Sequence, residues 1–340
     1  MDGDVMRGPR MWLRAFVGFY PPQGEALRSL DPVAKFLFAA RSVILVISAQ
    51  AAVIAGLLAA ADRRFHLGPF LLLLLGLVTA HALSNLSNDY FGYVRGHDTQ
   101  DSPRMRYTIH PVASGLLDTR TLLVGLGVLC AIGAAVVVSF WVLRGPLALA
   151  FALAGLVLLY LYDAAPTPLK SIGLGEAAAF LVWGPLMVGG GYFAIAGHLS
   201  AIPFVVSIPY GLGVASILLG KHIDQADFDR SHGQRTLPVV LGEAGARRLT
   251  QAVLVLMYVG VALFAVGGWL HPGIALAGVA LPRAWRAVGV LARPRPETPP
   301  PGYVGWPLWY HRACLVHNRL FGWVYIAGLA VGVVASRIGT

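Results

Sequence analysis

The sequence predicts an all-α, polytopic membrane protein with nine transmembrane helices. Three observations predict it. Of its 340 residues 57% are hydrophobic and only 12% are charged, against roughly 25% charged in soluble domains. The apolar residues gather in nine long runs, near the about 20 residues that a helix needs to cross a bilayer. The positive charge behind the net +10 falls between those runs, as membrane topology requires. The basicity therefore points to a lipid bilayer and not to nucleic acid.

The runs lie at roughly 36–61, 67–87, 121–143, 146–162, 174–196, 201–220, 250–270, 272–292 and 320–336. The fourth is short, and Arg283 and Arg286 interrupt the eighth. Residues 1–33 carry Trp12, Phe16, Phe19 and Tyr20 among Arg7, Arg10, Arg14 and Arg28. They read as a cytoplasmic, interfacial N-terminal arm and not as a span. Residues 34–340 read as one transmembrane domain. No apolar h-region precedes residue 34, so no cleaved signal peptide is expected. Cys130 and Cys314 show neither pairing nor metal spacing. The Pro-rich stretch 293–301 reads as a stiff connector. Lys and Arg set the orientation. Arg95, Arg104, Arg106, Arg120, Lys170, Lys221, Arg230, Arg235, Arg247 and Arg248 fall on one side, Arg63, Arg64, Arg144 and Arg337 on the other. This predicts a multi-pass protein of the cell membrane with a cytoplasmic N-terminus.

Two runs end in acids. After the second come Asn85, Asn88 and Asp89, which offsets of three and four place on one helical face. Gly92 and Gly96 then weaken the helix, so that Asp98 can fold back from a loop. After the sixth come Lys221, Asp224 and Asp227, which recur every three residues, and Asp229 lies off their face. Acids at the mouth of a membrane helix are a functional-site hypothesis by default. Unpaired carboxylates resist burial, and a divalent cation holds several together. Carboxylate and amide oxygens suit Mg²⁺, which binds through one or two carboxylates plus substrate phosphates. Neighbouring arginines grip phosphate oxygens. The other reading makes the acids loop salt bridges with Arg95, Arg104, Arg230 and Arg235. A metal–phosphate site opening into an apolar bundle implies a ligand with a phosphate head and a lipid tail.

Four segments carry a family resemblance. They are Asn88-Asp89-Tyr-Phe-Gly92-Tyr-Val-Arg95-Gly96-His-Asp98-Thr99, His110-Pro111-Val-Ala-Ser114-Gly115, the run from Tyr160 and Tyr162 through Lys170 to Gly173-Leu-Gly175-Glu176, and Asp229-Arg230-Ser-His-Gly233-Gln-Arg235-Thr236-Leu237. In this order they resemble the UbiA superfamily of intramembrane aromatic prenyltransferases. Within it they look like the branch that prenylates dihydroxynaphthoate in menaquinone synthesis. The resemblance implies a nine-helix bundle around a central cavity, in which Mg²⁺ bridges acids and a prenyl diphosphate. Asn88, Asp89, Asp98, Asp224, Asp227 and Asp229 would hold the metal, with Asp89 and Asp224 essential to ionisation. Lys170 and Arg235 would hold phosphate oxygens. Asn85, Asn88, Arg95, Lys221 and Arg230 would complete the substrate site. Tyr160 or Tyr162 would face the allylic cation. Arg41, inside the first run, either reaches the diphosphate or snorkels to the interface. Glu176 either orients an acceptor hydroxyl or caps a helix. His311, His317, Asn318 and Arg319 read as interfacial anchors before the last span.

Two departures stand out. Gly92 occupies the place of a metal-binding Asp, and Lys221 stands near a usual Asn. They predict fewer bound metals, and an acid returned at 92 is expected to strengthen Mg²⁺ binding. The expected reaction prenylates an aromatic acceptor. The alternatives are a membrane terpene cyclase, which needs no acceptor, and an anion transporter, whose sites lie nearer the bilayer midplane.

Overall fold

The computed structural model describes residues 7–18, 24–98, 102, 108–303 and 305–338. Thr99, Arg104 and Arg106 lie outside them. A short helix α1 (Pro9–Val17) and α2 (Pro32–Ala39) precede the bundle. Among the described residues nine helices long and apolar enough to cross a membrane follow: α3 (Ser42–Ala61), α4 (Leu67–Val94), α5 (Thr119–Arg144), α6 (Pro146–Ala164), α7 (Gly175–Ala196), α8 (Ile202–Ser231), α9 (Leu237–Val266), α10 (Pro272–Leu291) and α11 (Tyr310–Ile338). The described residues hold no strand. The all-α, nine-span expectation is met.

Local chemistry sets the helix ends. Asp31 caps α2, accepting from Ala34 N at 2.9 Å, and it also accepts from Gly8 N and Trp12 Nε1 at 2.9 and 3.0 Å. One carboxylate thus ties the arm to the bundle. Asp118 caps α5 through Thr121 N. At Gly145, with φ 76°, the chain turns into Pro146 at the head of α6. At that same end Arg144 donates to Ala194 O and Ile195 O at 2.9 and 2.6 Å, which fastens α5 to the C-terminus of α7.

The core lies between α3, α7, α8 and α11. Ala51, Ala52, Ile54 and Ala55 meet Tyr192, Tyr210, Phe321 and Tyr325 there. Small residues let backbones approach, as membrane helices require. A Cβ on Gly211 would stand 2.9 Å from Phe180 O, and one on Gly328 2.8 Å from Gly273 O. On α5 and α6, Val124, Val128, Val138, Val142, Leu156 and Val157 are exposed. In a bilayer that surface meets lipid, since all its backbone groups are satisfied within the helices.

The structure differs from the expected spans mainly at the polar ends. α4 runs on to Val94 and α8 to Ser231, so both acidic stretches are helical. α11 begins at Tyr310, and α9 begins at Leu237 as a short helix that kinks at Gly242, with φ 72° and ψ 159°, into the long one. Hydropathy detects only the apolar part of a helix, and these ends carry polar groups. The first run breaks where Arg41, with φ 55°, separates α2 from α3. α6 ends in a π-helical turn, Tyr160–Ala164, a distortion that concentrates at functional sites.

Candidate active site

A cavity of about 1330 Å³ runs through the bundle. Arg41, Asn85, Asn88, Tyr162, Lys221 and His311 supply polar lining. Leu73, Phe140, Phe151, Trp183 and Met187 supply apolar lining. Such a space fits a long hydrocarbon chain attached to a polar head.

Asp89 on α4 and Asp98 just beyond it each meet one cationic or polar side chain, Arg41 and His110. Asp89 is fully buried and ion-paired, through Oδ1, with Nη2 of Arg41. Arg41 reaches it because the left-handed break before α3 aims its side chain inward. A non-glycine residue in that conformation is a costly arrangement that marks functional sites. Asn85 donates to Ala40 O at 2.9 Å, and so fixes that break to α4. Asp98 lies beyond the helix end, with Oδ2 3.3 Å from Nε2 of the buried His110. One ligand atom from each of Asp89, Asp98 and His110 lies within 4.8 Å of the others.

Asn88 donates through Nδ2 to Asp163 Oδ1 at 2.6 Å, which turns its amide oxygen the other way. Lys170 Nζ lies 2.5 Å from the same Asp163 oxygen. Asp163 is fully buried on the π-turn of α6, and its Oδ2 has no hydrogen bond among the described residues. The sequence reading gave it no role. The available signal was its charge at the end of an apolar run. The Arg95 guanidinium donates to Asp163 O, Ala164 O and Ala165 O at 2.6, 2.8 and 3.1 Å. It is a clamp on the C-terminal carbonyls of α6, where a cation is favoured, and not a hand held out to phosphate.

The acids of α8 do not converge. Asp224 accepts from Tyr310 N at 3.1 Å and His311 N at 2.9 Å, so it caps α11. Asp227 is 95% exposed and pairs with Arg230 at 3.0 Å. Asp229 is buried and accepts from Thr236 Oγ1 at 3.1 Å. Helix geometry explains the spread, since the three positions span more than one turn and face three neighbours. Lys221, one turn earlier, does line the cavity.

The tyrosines separate. Tyr162 lines the cavity and Tyr160 is 53% exposed on the outside. Two helical residues differ by about 200° around the axis, so both cannot face inward. Glu176 forms a buried pair with His222 at 2.8 Å and is more than a cap. His317 and Asn318 are buried inside the bundle, with His317 Nε2 2.8 Å from Tyr258 OH, and His311 lines the cavity. The anchor reading fails for these three, because α11 starts earlier than its apolar stretch. His81 lines the cavity and is also satisfied by Ser48 Oγ at 2.9 Å.

The mouth loops meet. Gln234 Nε2 lies 3.2 Å from His97 Nδ1, and Arg235 N donates to Ser171 O at 2.9 Å. The Arg235 side chain itself is exposed. Burial, together with the Lys170 and Arg95 charges, pushes the His97 pKa down.

The residues present fit a hard divalent cation. Asp89, Asp98 and His110 each offer one ligand atom, all within 4.8 Å of one another. The two carboxylates suit Mg²⁺, which binds through one or two carboxylates plus substrate phosphates.

Comparison with known proteins identifies the class. The model of the UbiA prenyltransferase family matches residues 49–306. A 1,4-dihydroxy-2-naphthoate octaprenyltransferase of Escherichia coli is 31% identical over 225 residues, 60% of this chain and 70% of that protein. One of Mycobacterium tuberculosis is 30% identical over 249 residues, 71% and 81% of the two chains. One of Bacillus subtilis is 26% identical over 224 residues, 64% and 70%. Among solved structures, a UbiA homologue from Archaeoglobus fulgidus superposes with a TM-score of 0.60 at 14% identity, covering 87% of this chain and 99% of its own. The same homologue bound to GPP and Mg²⁺ gives 0.56 at 14% identity, over 87% and 99%. The chain is a multi-pass membrane enzyme of the UbiA prenyltransferase family. The transporter reading is thereby set aside.

Proposed function

We propose that the enzyme ionises a prenyl diphosphate at the mouth of α4 and transfers the prenyl group to an aromatic acceptor. One observation carries the reading: the Asp89, Asp98 and His110 cluster stands at the end of α4, whose Asn85 and Asn88 line a large, mainly apolar cavity together with Arg41 and Lys221. Naphthoate prenyltransferases among the relatives support an aromatic acceptor, and the homologue bound to GPP and Mg²⁺ supports the donor and the metal.

Asn88, Asp89 and Asp98 would hold Mg²⁺. When bound, the ion neutralises charge growing on the leaving diphosphate, a Lewis-acid role. Arg41 neutralises Asp89 in this structure and lies in the cavity wall, so it can pass to a diphosphate oxygen. Lys170 can leave Asp163 in the same way, and Lys221 adds a compact charge with three donors. These groups stabilise the departing anion where little water competes, which is where such donors count most. Tyr162 offers a ring face to the allylic cation. The cavity excludes water, so that the cation meets the acceptor. We place the mouth on the cytoplasmic side of the cell membrane from the Lys/Arg distribution.

The test is product analysis. Purified enzyme in lipid nanodiscs receives Mg²⁺ and prenyl diphosphates of several lengths, with and without 1,4-dihydroxy-2-naphthoate. The expected result is diphosphate release coupled to a prenylated naphthoate-derived product. Release with a hydrocarbon product and no acceptor incorporation would establish the cyclase reading instead.

A further inference from the structure

Arg283 and Arg286 stand inside α10 and interrupt its apolar run. A charged side chain within a span is costly to keep and marks a site by default. The reaction proposed above makes no use of these two. They face a separate cleft of about 360 Å³ between α10 and the start of α11. Arg312 joins them there, with Tyr303 and Trp309. Ala287 and Ala313 also line the cleft, and their small side chains leave the room in it. No acid is among its described lining residues.

The arginines are arranged within the cleft. Arg283 crosses it and donates through Nη1 to Val316 O on α11 at 3.2 Å. A carbonyl is a dipole and leaves the charge to be met by something else. The Arg312 guanidinium lies over the Tyr303 ring, 4.6 Å from its centroid, which steadies it. Arginines that only set topology would spread over the loops, whereas these three meet in one place. Their level suits a lipid headgroup. Arg286 and Arg283 lie five and eight residues before the end of α10 at Leu291, about 7.5 and 12 Å along the axis, and long basic side chains snorkel from that depth to the interface. Trp285 beside them is 80% exposed, as aromatic side chains at the headgroup level are. Toward the other end of α10, Leu276 and Val279 are exposed and apolar. Basic pockets between membrane helices take lipid phosphates, and guanidinium groups grip phosphate oxygens in pairs.

We propose that this cleft binds the headgroup of one anionic glycerophospholipid, with Arg283, Arg286 and Arg312 around its phosphate and an acyl chain along Leu276 and Val279. Arg312 also borders the central cavity, so the lipid sits beside the substrate site. Asp89, Asp98 and Lys170 line no part of the cleft, so the two sites are distinct.

The test reads lipid retained by the intact protein in native mass spectrometry, after release from nanodiscs of equal parts phosphatidylglycerol and phosphatidylcholine. The proteins are wild type, Arg283→Gln/Arg286→Gln/Arg312→Gln, Ala313→Leu and Arg248→Gln, the last removing an exposed charge on α9. Wild type and Arg248→Gln should each retain phosphatidylglycerol at least about tenfold over phosphatidylcholine. The triple variant should lose that preference. Ala313→Leu keeps every charge but fills the cleft, and should lose it too. Equal retention of the two lipids by wild type would overturn the proposal, as would an unchanged preference in the triple variant. A preference kept by Ala313→Leu would also overturn it, since diffuse attraction to charge needs no cleft. Two competitors separate the sources of phosphate. Neither excess inorganic phosphate at matched ionic strength nor an unreactive prenyl thiolodiphosphate should displace the lipid from wild type. Displacement by the first would make the cleft a free-anion site, and by the second a substrate entry, and either would overturn the lipid assignment.

Discussion

Asp89 and Asp224 look alike in the sequence, each an acid near the end of a long apolar run, yet the structure gives them opposite work. Asp89 faces Arg41 beside the cavity, and Asp224 receives the first N–H groups of α11. Asp89→Ala should therefore lower the rate of diphosphate release by about a hundredfold, on the order of 3 kcal/mol of transition-state stabilisation, and also lower thermal stability, because Arg41 loses its buried counter-charge. Asp224→Ala should instead cost about 1 to 2 kcal/mol of stability, as loss of an N-cap does, and lower the melting temperature in detergent. A full-strength melting temperature combined with lost diphosphate release in Asp224→Ala would return it to the catalytic set. The carboxylate–amide face of α4 was legible because helical spacing links Asn85, Asn88 and Asp89. The pairing of Asp163 with Asn88 was not legible, since the two lie 75 residues apart in the chain.

At the scale of elements, the site depends on how α6 ends. Its π-turn carries Asp163 inward, and Arg95 at the end of α4 binds three successive carbonyls of that turn. A planar guanidinium satisfies several carbonyls at once, and an ammonium does not. Arg95→Lys should raise hydrogen exchange across residues 163–169 and weaken substrate binding, with α5 and α9 unaffected. Unchanged exchange there would make the clamp incidental. The spans themselves were legible from apolar runs, but their ends were not. α4, α8 and α11 extend through polar turns, because a helix facing a polar mouth or a buried partner keeps its hydrogen bonds without needing apolar residues. The break at Arg41 was hidden for the converse reason, lying inside an unbroken apolar run.

At the scale of the molecule, the loops after α4, α6 and α8 close over one end of the bundle, joined by His97 to Gln234 and by Arg235 to Ser171. The first of these bonds brings the end of α4 against the loop after α8. On the proposed orientation that end faces the cytoplasm. A cysteine at the exposed Ser231 should accordingly react with an impermeant maleimide in inverted vesicles and not in intact cells. Reaction in intact cells alone would reverse the orientation.

The central claim is that a metal-bound diphosphate sits at the α4 mouth with its chain in the cavity. The most direct measurement is the anomalous signal of Mn²⁺ in a structure with a prenyl thiolodiphosphate. The account predicts a peak about 2.1 Å from oxygens of both Asp89 and Asp98, with the hydrocarbon tail running past Phe140 and Phe151. A peak bound elsewhere, or a tail outside the cavity, would contradict it.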